Sequence, residues 1–193
     1  MPERCVTVRT LREMKERGEK IVVVTAYDYP FARLAERAGV DAILVGDSVA
    51  MAVLGYETTL PVTVEELLHH VKAVTRAVRR VLVIADMPFL SFQVGEDEAV
   101  RQAGRFLKEG GAHAVKLEGG APVAGVVRRL SQAGIPVIGH LGLTPQAVHE
   151  LGGFRLQGKE PESARRLLDD ALVLQEAGAS ALVLELVPVE VAA

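Results

Sequence analysis

Four times along this chain a helical pattern closes on a small residue and a glycine, and an apolar run opens just after it: Ala38-Gly39, Gly110-Gly111, Ala133-Gly134 and Ala177-Gly178. Glycine adopts the left-handed conformation that caps a helix C-terminus, so each pair marks a helix end. The runs that follow are rich in Val, Ile, Leu and Ala without polar alternation, as strands buried on both faces read. They predict strands at Ile21 to Thr25, Asp41 to Val45, Val81 to Ala85, Ala114 to Leu117, Pro136 to Gly139 and Ala181 to Leu184. Helical patterns lie between them at Pro30 to Ala38, Val64 to Arg79, Glu96 to Glu109, Ala121 to Gln132 and Pro161 to Ala177, with Thr63 and Glu66 forming a capping box. This repeated unit is a βα series, and right-handed crossovers make its sheet parallel. A closed barrel and an open doubly wound sheet both fit such a series. Chemistry-bearing residues after nearly every strand favour the barrel, whose strand ends converge on one mouth, over the open sheet, which gathers them at one switch point.

A chain of 193 residues with 49% apolar and 24% charged content can bury the core of one domain, spanning 1–193. A net charge of −3 gives no positive field to neutralise a phosphate backbone, so no nucleic-acid partner is expected. Met1 to Lys20 is charged throughout and lacks the apolar core of a secretory signal, and no run is long enough to span a bilayer. The expectation is a cytoplasmic protein with no membrane partner. The lone Cys5 reads as an incidental thiol. Six strands are visible and the sequence stops soon after the sixth, at Pro188 to Ala193. An eight-stranded barrel would then lack its last strands, leaving the first and sixth with unpaired edges.

The residues at the strand ends carry the chemistry. Asp47 and Ser48 follow the second strand, Asp86 the third, and Lys116 and Glu118 the fourth, two residues apart and so on one side of an extended backbone. Three oxygen ligands without a cysteine or paired-histidine motif suit a hard divalent cation such as Mg²⁺, which can stabilise the enolate of an α-keto acid. Each acid taken alone also reads as a helix N-cap. Lys116 reads as a contact for a substrate carboxylate, as a solvated partner of Glu118, or as a Schiff-base nucleophile. His140, at the fifth strand, can donate a hydrogen bond to substrate or serve as a structural imidazole. Glu185 stands among apolar neighbours after the sixth strand, a setting that predicts desolvation, a raised pKa and a role as proton acceptor. His69, His70, His113 and His149 have no evident chemical role.

Five segments, GDSVAMAVLGYETTLPVT, ADMPFLSFQ, VKLEGG, IGHLGLTPQ with LGGFRLQGK, and LVLELVP, together resemble the ketopantoate hydroxymethyltransferase family in family order. The resemblance implies transfer of a hydroxymethyl group from 5,10-methylenetetrahydrofolate to 3-methyl-2-oxobutanoate, forming 2-dehydropantoate. It implies a Mg²⁺ site at Asp47, Asp86 and Glu118, keto-acid contacts at Ser48, Asp86 and Lys116, a substrate-site His140, and Glu185 as proton acceptor. It further implies a (β/α)8 TIM barrel of the phosphoenolpyruvate mutase/isocitrate lyase type and a homo-oligomer, commonly a decamer. The rivals are another Mg²⁺-dependent lyase or mutase acting through an enolate, and a truncated oligomeric scaffold without turnover.

Overall fold

The computed structural model describes residues 5–193; of the charged N-terminal stretch, Met1 to Arg4 lie outside the described residues. In chain order the elements are α1 (Val8–Glu16), β1 (Val23–Thr25), α2 (Tyr29–Arg37), β2 (Ala42–Val45), α3 (Val49–Ala52), α4 (Val64–Ala77), β3 (Leu82–Asp86), α5 (Glu96–Lys108), β4 (Ala114–Glu118), α6 (Ala124–Gln132), β5 (Val137–Gly142), α7 (Val148–Leu151), α8 (Pro161–Ala177), β6 (Ala181–Glu185) and α9 (Val189–Ala192). All six strands pair in parallel in the order of the sequence, with no reversal at which a doubly wound sheet would switch direction. The result is a curled half-barrel. β1 pairs only with β2 and β6 only with β5 among the described residues, so two edges stand open.

The predicted elements are present, with shifts at their ends that have local causes. The Val22 amide donates to the Asp41 carboxylate at 2.8 Å, and β1 begins at Val23 instead of Ile21. α4 stops at Ala77 because Val78 is extended and the next amides, of Arg79 and Arg80, donate to Glu36 at 2.6 and 2.7 Å. The helix predicted from Ala121 opens as a 3₁₀ turn and becomes α-helical only at Ala124. β5 runs three residues beyond its predicted end, so His140 lies within the strand. Thr63 and Glu66 form the capping box, and Gly39, Gly111, Gly134 and Gly178 all have positive φ. α1 was not anticipated: Val8, Leu11 and Met14 recur at helical spacing inside a stretch dominated by charge.

The two faces of the sheet have different partners. Outward residues such as Ile43, Val83, Val115 and Val137 join the helices in the larger core. Inward residues near the N-terminal ends of the strands, Ala42, Leu82, Ile84, Ala114 and Ile138, pack on Val6 and Leu11, which close that end of the half-barrel. No helix among the described residues is long and apolar enough to cross a membrane.

Gly142 fixes how β6 meets β5. Its φ is 90°, it pairs with Glu185, and a Cβ there would overlap the Glu185 carbonyl and the Val187 side chain. Gly142→Ala is expected to cost about 2 kcal/mol or more, a melting temperature lower by about 4–8 °C, because both the left-handed φ and the overlap act against a side chain. Gly153, with φ 107° and open space around it, is the comparison site. If Gly142→Ala and Gly153→Ala lose the same amount in thermal unfolding, the close approach of β6 contributes nothing.

Candidate active site

Strand alternation decides which side chains meet at the mouth. Asp86 follows Ile84 on the inner face of β3, Lys116 and Glu118 follow Ala114 on β4, His140 follows Ile138 on β5, and Glu185 follows Val183 on β6. The register sets Asp86 beside Lys116 and Glu118 beside His140. With Asp47 and Ser48 from the loop after β2, all seven predicted residues line one cavity of about 300 Å³.

The centre of that cavity is charged and buried. Asp47 and Lys116 are each 3% exposed, and Asp86, Glu118 and His140 are buried with them. Lys116 Nζ lies 2.8 Å from Asp86 Oδ1, 3.2 Å from His140 Nδ1 and 4.0 Å from Glu118 Oε1. Burial acts against the ammonium charge, but the carboxylates of Asp86, Glu118 and Asp47 outweigh it and hold the pKa above its ordinary value. An amine kept protonated is not a Schiff-base nucleophile. Nor are Lys116 and Glu118 a solvated couple, since both are buried. An ammonium only donates, so His140 Nδ1 accepts from Lys116 and Nε2 carries the proton.

None of the three acids caps a helix; each is held by a specific donor. The Asp47 amide donates to Asp86 Oδ2 at 3.1 Å. Gln146, in the 3₁₀ turn after β5, donates its backbone N–H to Glu118 Oε2 at 3.0 Å and its side-chain Nε2–H to Asp47 Oδ2 and the Met87 carbonyl, each at 2.9 Å. Burial first, then the neighbouring charge of Asp86, pushes the Asp47 pKa up to about 8 against the pull of Lys116 and Gln146.

Two of the remaining oxygens, Asp86 Oδ1 and Glu118 Oε1, are buried without a hydrogen-bond partner, as are His140 Nε2 and Thr59 Oγ1. Asp86 Oδ1 has its ion pair with Lys116 and no other partner. With Asp47, Asp86 and Glu118 all ionised, the buried centre would carry three negative charges against the one ammonium, and a divalent cation would offset the excess. Among the described residues no three His, Cys, Asp or Glu side chains form a ready-made metal cage, because Lys116 stands between Asp86 and Glu118. A hard cation held here would have to keep water or substrate oxygens in part of its shell, as Mg²⁺ can.

Glu185 differs from expectation. Its carboxylate lines the cavity, with Oε2 3.3 Å from His140 Nε2, but its side chain is 41% exposed and not desolvated. Its apolar sequence neighbours Leu184 and Leu186 alternate away from it and give it no cover. Leu186 has φ 45°, a left-handed backbone that aims the strand end.

Some residues of the site escaped sequence reasoning. Gln146 ties the loops after β2, β3 and β5 together, yet its only mark in the sequence is its place in IGHLGLTPQ. Tyr27 holds Ser48 through a 2.8 Å hydroxyl pair, and Thr59 lines the cavity. Among the four histidines left without a role, His70 Nδ1 contacts the Tyr27 carbonyl at 2.8 Å. His113 does have a partner: its Nδ1 accepts from the Val83 amide at 2.9 Å, and burial lowers its pKa.

A protein from Carboxydothermus hydrogenoformans named 3-methyl-2-oxobutanoate hydroxymethyltransferase is 60% identical over 188 residues, covering 97% of this chain and 68% of that protein. The fold matches phosphoenolpyruvate phosphomutase from Streptomyces platensis subsp. rosaceus with a TM-score of 0.65 at 24% identity, over 91% of this chain and 63% of the other. It also matches 2,3-dimethylmalate lyase, a PEP mutase/isocitrate lyase superfamily member, with a TM-score of 0.62 at 21% identity, over 93% of this chain and 62% of the other. The family model described as ketopantoate hydroxymethyltransferase matches residues 5–193, and the chain belongs to that family of transferases.

Proposed function

We propose that this chain carries the keto-acid site of a hydroxymethyltransferase that moves a one-carbon unit from 5,10-methylenetetrahydrofolate to 3-methyl-2-oxobutanoate. The observation that carries the reading is the convergence of Asp47, Asp86, Lys116, Glu118, His140 and Glu185 on one cavity of about 300 Å³. The sheet is then six strands of a (β/α)8 barrel, and the chain spans about two thirds of the length of its relatives. A homo-oligomer in the cytoplasm belongs to the same reading; Phe31 and Leu34 of α2 are exposed apolar surface of the kind an interface would cover.

Asp47, Asp86 and Glu118 would hold Mg²⁺, which supplies Lewis-acid stabilisation of an enolate when bound. The keto acid enters with its oxygens toward Lys116 and the protonated Nε2 of His140. Both are buried donors aimed where negative charge develops. Glu185, open to solvent at the rim, accepts the proton from the β-carbon. The carbon so exposed forms a bond to the methylene carbon of the donor. The two C–N bonds of that carbon break, water supplies its hydroxyl, the two nitrogens take up one proton from Glu185 and one from that water, and 2-dehydropantoate and tetrahydrofolate leave.

Exchange of the β-proton of 3-methyl-2-oxobutanoate in D₂O, followed by NMR, tests the site without folate. We expect exchange to require Mg²⁺ and to slow about 10²-fold in Glu185→Ala. Glu118→Ala should lose the Mg²⁺ dependence. Exchange that is indifferent to Mg²⁺ and to both substitutions would remove the basis for the assignment.

A further inference from the structure

Beside the keto-acid cavity lies a second recess, of about 420 Å³, that the reaction scheme above does not use. We propose that this recess seats the one-carbon donor, a flat reduced pterin, with its ring against Phe89 and its polar edge toward Gln93, His149 and Glu150. The inference rests on the proposed function and adds where the second substrate binds.

Adjacency is the first argument. Transfer of a carbon requires the donor's methylene within bonding reach of the keto acid's β-carbon, so the donor must occupy space that shares a wall with the first cavity. Glu118 lines both recesses. Gln146 also lines the second, while its amide nitrogen donates to Asp47 of the first. The other sizeable recesses, beside Arg33 and Arg79, beside Lys15 and Leu182, and beside Cys5 and His113, share no residue with the keto-acid cavity. The first of these lies at the loops preceding β2 and β3, the opposite end of the sheet from the mouth.

Chemistry is the second argument. A pterin presents two apolar ring faces and an edge of amide and amine groups. The recess offers the matching surfaces: Leu60 and Ala147 with an exposed Phe89 as walls, and an amide, an imidazole and a carboxylate at the rim. Phe89 is held out by its turn, not by packing. Leu90 adopts φ 64°, and both the amide and the hydroxyl of Ser91 donate to the Pro88 carbonyl, at 3.0 and 2.6 Å. A left-handed leucine that leaves an aromatic ring in solvent is strain placed beside a binding surface. Gln93 donates to Gln146 Oε1 at 3.1 Å, so the wall between the recesses is a fixed chain of amides ending at Asp47.

The chain contains no tryptophan, which makes Phe89→Trp a reporter inside the recess that keeps an aromatic face. Titration with tetrahydrofolate should quench its emission saturably. Arg37→Trp, at the opposite end of the sheet, corrects for light absorbed by the ligand. Phe89→Ala should weaken tetrahydrofolate binding about tenfold, measured by saturation-transfer NMR alongside the parent. Equal affinity in Phe89→Ala, saturable binding without quenching in Phe89→Trp, or no binding to the parent would each overturn the proposal. β-Proton exchange by the parent reports the keto-acid site separately: exchange without donor binding at Phe89 sinks this inference alone, and absence of exchange sinks the reading beneath it.

Discussion

Lys116→Met is expected to lower the melting temperature of the metal-free protein by about 6–20 °C, the equivalent of about 3–5 kcal/mol. Lys116 is the one ammonium among the described residues lining the cavity, and removing it leaves the buried carboxyl groups of Asp86, Glu118 and Asp47 without their cation. The pH dependence gives the mechanism away. The pKa of Lys116 is raised, so its stabilisation is complete below the ordinary lysine range of about 10 and is lost only as pH rises through the higher folded-state value. The gap from the parent should therefore be full below about pH 10 and close only above it. β-Proton exchange should fall about 10³-fold, because a donor facing the developing oxyanion has gone. A pH-independent gap of less than about 3 °C would mean that the cavity does not depend on this charge.

Why Lys116 was legible in the sequence and Gln146 was not has a physical basis. Parallel strands announce themselves as unbroken apolar runs, and the last inward residue of each must face the mouth. A charged residue there stands out against Val and Ile, as Asp86, Lys116, Glu118 and Glu185 do. The family-like segments added roles to those positions. Gln146 lies in a loop whose path follows from tertiary packing, and an amide in a loop has no periodicity to betray it. Tyr27 and Thr59 were hidden for the same reason. α1 failed differently: its apolar stripe was outvoted by its charges, although those three residues help to close the end of the half-barrel. Glu185 shows the converse error, since apolar neighbours in sequence are not neighbours in space along a strand.

Asp47→Asn should act in opposite directions on the metal-free and the Mg²⁺-loaded protein. The folded-state pKa of Asp47 is about 8 against an ordinary 3.8, raised by burial and by the charge of Asp86. For a carboxyl shifted upward, the unfolded chain releases its proton as pH passes about 4 while the folded chain keeps it until about 8. Stability attributable to this group therefore falls across that window. Asparagine keeps an oxygen for Gln146 and removes the titration, so the metal-free variant should melt about 2–4 °C higher than the parent at pH 8, on the order of 1 kcal/mol. A cation binding beside Asp47 must displace its proton below pH 8, so apparent Mg²⁺ affinity should rise by up to about tenfold per pH unit from 6 to 8 and then level off. In Asp47→Asn that slope should disappear, and with it most of the thermal gain from Mg²⁺. Melting curves across a Mg²⁺ series at pH 6, 7, 8 and 9 decide the matter. An affinity flat across that range in the parent would place the cation away from Asp47. A metal-free variant less stable than the parent at pH 8 would show that the Asp47 carboxylate is stabilising as it stands, so that the cavity does not need a cation to hold its charge.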